Sequence, residues 1–164
     1  MQGYVLTVER MVPATPEAIF DVLSDATKHS QIDGSGMLQG KSPEAPERLA
    51  LGTTFGMSMK MFRVPYATVN RVVEFELNKK IAWQTGPTGA MAKYVAGRIW
   101  RYELEPVGGG TLVRESWDIT PDHQRVLLKL GDIYSKKTRR DMERTLEHLS
   151  QLVIGPPGAS AVSD

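Results

Sequence analysis

The chain has 164 residues, a formal charge of +1, no cysteine, eight methionines and three tryptophans. A length near 150 fits one domain, able to bury roughly 70% of the surface its unfolded chain exposes, with room for a pocket. The near-zero charge argues against bulk nucleic-acid binding and against attraction to anionic membranes. The missing cysteine excludes disulfide scaffolds, cysteine nucleophiles, thiolate zinc sites and iron–sulfur clusters.

Tyr4–Val12 alternates and is rich in β-formers, which predicts a first strand. Glu9 and Arg10 interrupt it before any apolar run reaches signal-peptide length. No later apolar stretch approaches the length of a membrane span, so the expected location is cytoplasmic, without stable membrane insertion. Thr15-Pro16-Glu17 supplies an N-cap, a first-turn proline and a first-turn acid. The helix they start carries Ile19, Phe20 and Leu23 on its apolar face and exits at Ser24-Asp25. Residues 26–31 suit a second short helix. Asp33-Gly34-Ser35-Gly36 is turn chemistry, and Lys41–Leu51, with two prolines, reads as a loop.

From Gly52 the hydrophobic period becomes two. Phe55, Met57, Met59 and Met61 share one face of a strand. Val69, Arg71, Val73, Phe75 and Leu77 share one face of the next, and Phe62 and Val72 fall on the nominally outer side. A turn at Asn78–Lys80 leads into Ile81, Trp83 and Thr85, and Gly86–Gly89 breaks the chain, with Met91 just beyond it. Arg98, Trp100, Tyr102 and Leu104 alternate with Ile99, Arg101, Glu103 and Glu105. Val107–Gly110 is a hairpin loop and Thr111–Thr120 the returning strand. Half-buried antiparallel strands alternate in this way. Pro121–Ile133 has room for a short helix, and Ser135–Val153 is a long amphipathic one, with Met142, Leu146, Leu149 and Val153 on one face. The order defines an α+β chain whose last helix covers one sheet face. Gly155–Asp164 is expected to be a disordered tail, leaving 1–154 as the domain.

Familiar catalytic signatures are missing. The chain holds no GxxxxGK[ST], no GxGxxG between strand and helix, no HExxH and no GxSxG. His29, His123 and His148 lack ligand spacing, so solvent or capping roles are expected for them, with no metal and no cofactor. The run Lys136-Lys137-Thr138-Arg139-Arg140 reads as the solvated side of the long helix, balanced by Asp141, Glu143 and Glu147.

The inward sheet face carries the information. If Pro106 pairs with Thr111, then Leu104 faces Val113, Tyr102 faces Glu115 and Trp100 faces Trp117, all on one side. A three-residue loop at 78–80 would likewise set Phe75 opposite Trp83. Among these aromatic and methionine side chains stand Arg71, Arg98 and Glu115. Burying an unpaired charge costs several kcal/mol. Either the three form ion pairs or reach water at an edge, or they line a partly hydrated cavity. A few polar groups in an apolar pocket are the usual make-up of a small-molecule site.

The chain resembles a START-like domain of the SRPBCC superfamily, of the polyketide cyclase/dehydrase type. The residues that carry the resemblance are Val12-Pro13-Ala14-Thr15-Pro16-Glu17-Ala18-Ile19-Phe20-Asp21 and the following Val22-Leu23-Ser24-Asp25. Asp33-Gly34-Ser35-Gly36, Leu51-Gly52-Thr53-Thr54-Phe55 and Ile81-Ala82-Trp83 continue it. The segment from Trp100 to Pro106, followed by Val113-Arg114-Glu115-Ser116-Trp117-Asp118, is similar to the family's last hairpin. The resemblance implies a helix-grip fold, about seven antiparallel strands curved around a long C-terminal helix with a cavity between them. It implies two short helices after the first strand. It also implies a hydrophobic ligand such as a lipid or polyketide, held for transport or sequestration.

The ligand-binding residues expected on that basis are Phe55, Met57, Met59, Met61, Arg71, Val73, Phe75, Trp83, Arg98, Trp100, Tyr102, Glu115, Trp117, Met142 and Leu146. Methionine adapts to irregular apolar shapes, which suits a pocket wall as well as a core. A second reading is a cyclase or dehydratase. There Glu115 would be the general acid or base with Tyr102 as its partner, and Arg98 or Arg71 would hold an oxygen. A third is a protein-interaction module, with Phe62 and Val72 as a homodimer or partner patch.

Overall fold

The computed structural model describes residues 1–41, 46–88 and 97–155. Its elements are β1 (Val5–Val12), α1 (Pro16–Leu23), α2 (His29–Ile32), β2 (Leu38–Lys41), β3 (Thr54–Met61) and β4 (Val64–Glu76). They continue as β5 (Lys80–Pro87), β6 (Arg98–Val107), β7 (Gly110–Asp118), α3 (Arg125–Leu130) and α4 (Asp132–Ile154). The strands form one sheet in the order β1-β7-β6-β5-β4-β3-β2, with every neighbouring pair antiparallel. Helix α4 lies along the inner side of β1 and contacts α1, α2 and α3. The helix-grip α+β expectation is met. Met91 lies outside the described residues, as does the expected tail beyond Gly155.

Local chemistry explains the start. The Thr15 hydroxyl accepts from the Ala18 amide at 3.4 Å and Pro16 opens α1. Phe20 of α1 then meets Phe75 of β4 edge-on, with ring centroids 5.3 Å apart. Both ends of α1 are tied, because Ser24 Oγ donates to the Phe20 carbonyl at 2.7 Å.

The β6–β7 register is the expected one. Pro106 pairs with Thr111, Leu104 with Val113, Tyr102 with Glu115 and Trp100 with Trp117. The β4–β5 register is not. A bulge between Val72 and Glu74 adds a residue, so Trp83 pairs with Val72 and Phe75 with Ile81. A bulge exchanges the faces on one side of it. Arg71 therefore points outward and is exposed, while Val72 is buried inside rather than presenting an outer patch. Val73 is the half-buried extra residue. Strand β2 falls in and before the stretch expected to be a loop, pairing with β3 at the sheet edge. The turn before β5 centres on Asn78, at φ 59°, and β5 begins at Lys80.

Gly34 joins the α2–β2 turn to α4. A Cβ there would stand 2.0 Å from the Asp141 carbonyl oxygen, so only glycine allows this approach. Its amide donates to Thr145 Oγ1 at 3.0 Å.

Candidate functional site

Pairing across the sheet places all three tryptophans in one row. Leu6, Trp117, Trp100, Trp83 and Val72 are consecutive partners across β1, β7, β6, β5 and β4. They share the concave face, with Trp117 and Trp83 buried and Trp100 half-buried. Trp100 and Trp117 rings lie 6.2 Å apart.

The antiparallel order gives the grip two ends. The turn after β1 and the β6–β7 hairpin lie at one. Here Val12, Ile19, Phe20, Leu23, Val113 and Leu149 form a packed core. The opposite end holds the start of β1, the β3–β4 turn, the start of β6 and α3. Toward it the concave face opens: Met59, Thr68, Thr85, Arg98 and Trp100 are half-buried and Tyr66 is partly exposed. Burial raises the Tyr66 phenol, and the charges of Arg98, Asp33 and Lys137 act on it across this mouth.

Behind the tryptophans runs a buried aromatic and polar chain. Phe55 meets His29 edge-on at 5.8 Å, and His29 stacks on Trp83 at 4.9 Å. Trp83 lies 5.5 Å from Tyr102. Tyr102 donates its hydroxyl hydrogen bond to Glu115 Oε1 at 2.9 Å. Glu115 is 2% exposed, and its Oε2 is buried with no hydrogen-bond partner among the described residues. Burial pushes its carboxyl up to about 8, aided by the nearby charge of Asp33 and opposed by the Tyr102 bond. Burial thus favours the protonated carboxyl near neutral pH. Burial also raises Tyr102 well above a normal phenol. His29 is lowered by burial and stays neutral, with Nε2 donating to the Leu23 carbonyl at 2.8 Å. That bond caps the end of α1. The capping expectation for His29 holds and the solvent one does not. Its aromatic role gave no sequence signal.

The remaining expected site residues divide. Phe55, Met57, Trp83, Tyr102, Glu115, Trp117, Met142 and Leu146 are buried together in the grip, with Met59, Phe75 and Trp100 packed against them. Met61 does not join them; it is 48% exposed at the end of β3. Arg71 is on the other face and cannot hold an oxygen inside. Arg98 points inward but is an ion pair, with Nε 2.9 Å from Asp122 Oδ2. Asp122, which no sequence pattern singles out, is fully buried at its side chain and also accepts from the Gln124 amide at 2.8 Å. A groove of about 530 Å³ on the hairpin of β3 and β4 is lined by Ser58, Lys60, Pro65 and Ala67 together with Met59 and Tyr66. Among the described residues no group of His, Asp or Glu could hold a metal ion. None of their helices is long and apolar enough to cross a membrane.

A sheet curved around one long helix, with tryptophan and methionine on its concave face, defines a helix-grip domain with an apolar interior. The chain belongs to the family described as polyketide cyclase/dehydrase and lipid transport, whose model matches residues 5–153. It is 28% identical over 151 residues to the uncharacterized protein Rv0088 of Mycobacterium tuberculosis, covering 88% of this chain and 61% of that one. The chain thus spans about three-fifths of the curated relatives it matches. Solved structures share the fold. Protein NE0264 of Nitrosomonas europaea has a TM-score of 0.70 at 13% identity, covering 94% of this chain and 96% of that one. The AHSA1 protein SPO3351 of Silicibacter pomeroyi has a TM-score of 0.67 at 18% identity, covering 92% and 97%.

Proposed function

We propose that this protein binds a hydrophobic small molecule, of lipid or polyketide type, on the mouth half of the concave face. The observation that carries this reading is the tryptophan row, whose middle member Trp100 stays half-buried on the concave face between buried Trp83 and Trp117. A packed core would have covered that indole; an apolar ligand would complete its burial. Met57, Met59 and Met142 supply walls that adapt to irregular shapes. Phe55, Phe75, Trp83, Trp117 and Leu146 back them, and the Tyr102–Glu115 pair is the polar feature deeper in. Transport or sequestration follows from binding without turnover.

Native mass spectrometry of the purified chain, followed by denaturing extraction, tests the proposal. The expected result is a co-purifying apolar mass of one chemical class, released on unfolding and reduced in Trp100→Ala. A chain that neither co-purifies with nor takes up any apolar compound overturns it.

One observation favours an enzyme of the cyclase or dehydratase type as the second reading. Glu115 is buried with Tyr102 donating to its Oε1, and burial pushes its carboxyl up to about 8, the direction a general acid needs. Neither Arg71 nor Arg98 is free to stabilise an oxyanion beside it. Glu115→Gln decides this reading: turnover of a ketone-bearing substrate should vanish while ligand binding survives. Unchanged turnover removes Glu115 from the chemistry.

A further inference from the structure

Two segments at the mouth end present apolar side chains to solvent. The first is the tip of the β3–β4 hairpin. Met61 pairs with Val64, so Phe62 and Arg63 form a two-residue turn. Both have positive φ, 48° and 68°, the geometry of a type I′ turn. Asn-Gly fills such turns without strain; phenylalanine and arginine do not. Phe62 is 92% exposed, and Met61 and Val64 beside it are exposed too. An apolar ring held in strained backbone and pointed at water asks for a function.

The second segment is α3. Leu128 is buried, but Val126, Leu127 and Leu130 face solvent, the last 78% exposed. Arg125 and Lys129 sit over the Tyr4 ring at 5.8 and 4.7 Å, which holds both cations at the surface beside these leucines. Tyr4 precedes β1, and the β3–β4 turn closes the same end of the antiparallel sheet. Both segments therefore lie on the rim at one end of the sheet, α3 beside its β1 edge and the hairpin tip toward its β2 edge.

Their charge is one-sided. Lys60, Arg63, Arg125 and Lys129 are all exposed, and neither 60–70 nor 123–131 contains an acidic residue. Four positive charges here, in a chain of net charge +1, leave the rest at −3. The even balance of the whole chain thus hides two basic, apolar segments at this end.

We propose that this rim docks on an anionic lipid surface, with Phe62, Leu127 and Leu130 entering the interface and Lys60, Arg63, Arg125 and Lys129 against the headgroups. Apolar residues interleaved with cations on a protruding tip suit a bilayer interface, where both are satisfied at once. A nucleic acid would use the cations and leave Phe62 and the leucines in water. An apolar protein patch would leave the cations without partners. Docking at the mouth would let an apolar ligand pass between bilayer and grip without crossing water.

The test is flotation of the full chain with vesicles of phosphatidylcholine containing phosphatidylserine, and with phosphatidylcholine alone. Binding is expected on the anionic vesicles, weak on the neutral ones, and weakened by salt. Removing one inserted phenylalanine should lower partition about tenfold or more. Phe62→Ser should therefore release the protein while leaving its melting temperature unchanged or higher, and Leu127→Ser with Leu130→Ser should do the same. Absence of vesicle binding overturns the proposal, as does binding that Phe62→Ser leaves intact. Light scattering that shows a dimer dissolved by Phe62→Ser, with no vesicle binding, would also overturn it and assign the rim to a second copy.

Discussion

Tyr102 gives its hydroxyl hydrogen to one oxygen of Glu115 and leaves the other buried and unpartnered. The pair sits opposite across β6 and β7, so strand register alone brings the two groups together. A carboxyl placed there cannot be indifferent to pH. Its ordinary value is 4.5 and in the fold it rises to about 8. Between these values the unfolded chain has lost the proton and the folded chain keeps it. Stability therefore falls as pH rises from about 4.5 to about 8, by up to about 1.4 kcal/mol per pH unit. Glu115→Gln removes this dependence. Urea denaturation should show the variant gaining on the wild type as pH is raised through this window. Parallel profiles would contradict the buried, protonated Glu115.

The reverse sign holds for His29, which burial lowers from 6.5. Below that value the unfolded chain takes up a proton that the folded chain resists. Stability is lost as pH falls through the lowered value. His29→Phe keeps the stack on Trp83 but leaves the Leu23 carbonyl without its donor. It should cost about 1 kcal/mol near neutral pH and flatten the acid limb. An unchanged acid limb by denaturation at several pH values would show that His29 is not the group responsible.

Arg98 and Asp122 serve the fold. Asp122 is buried completely at its side chain and Arg98 only in part. Arg98→Ala should cost about 2–3 kcal/mol, because it abandons a buried carboxylate, with some relief from nearby water. Asp122→Asn keeps an acceptor for the Gln124 amide and should cost less, about 1 kcal/mol. Equal losses in urea titration would mean that the ion pair is not what holds this corner.

Gly34→Ala drives a methyl group into the α4 backbone. The turn must move off the helix, losing the Gly34–Thr145 bond as well. A loss of about 2–3 kcal/mol is expected, against almost none for Gly108→Ala, whose Cβ meets nothing within 4 Å. A thermal melt of the two variants separates the cases.

The hairpin tip predicts the opposite sign. Arg63→Gly relieves a residue at φ 68° and should stabilise by about 1 kcal/mol. A loss of stability would show that Arg63 makes contacts worth more than its strain.

Much of this architecture is legible in the sequence, for identifiable reasons. The β6–β7 pairing follows from a short glycine loop, and each pair propagates from it, so Tyr102–Glu115 and Trp100–Trp117 follow from residue spacing alone. The β4–β5 pairing defeats the same logic because a bulge at Val73 carries no mark in an apolar run. That one extra residue sends Arg71 out, brings Val72 in and sets Val72 rather than Phe75 opposite Trp83. Strand β2 is four residues with a glycine and one apolar side chain, too little for alternation to register. Asp122 lies in a polar connection that looks like any turn, and only the fold brings it to Arg98. Net charge misleads in a further way, since it averages over a surface on which Lys60, Arg63, Arg125 and Lys129 stand in two segments without acids.

The central claim is that the concave face takes an apolar ligand beside its tryptophans. Titration of the chain with cis-parinaric acid, followed by energy transfer from tryptophan, tests it most directly. The three indoles form one row, so a ligand beside Trp100 should quench their emission saturably, at one molecule per chain. Trp100→Arg should abolish the transfer, while Phe62→Ser, outside the grip, should leave it intact. Transfer that never saturates, or that survives Trp100→Arg unchanged, would contradict a binding site on this face.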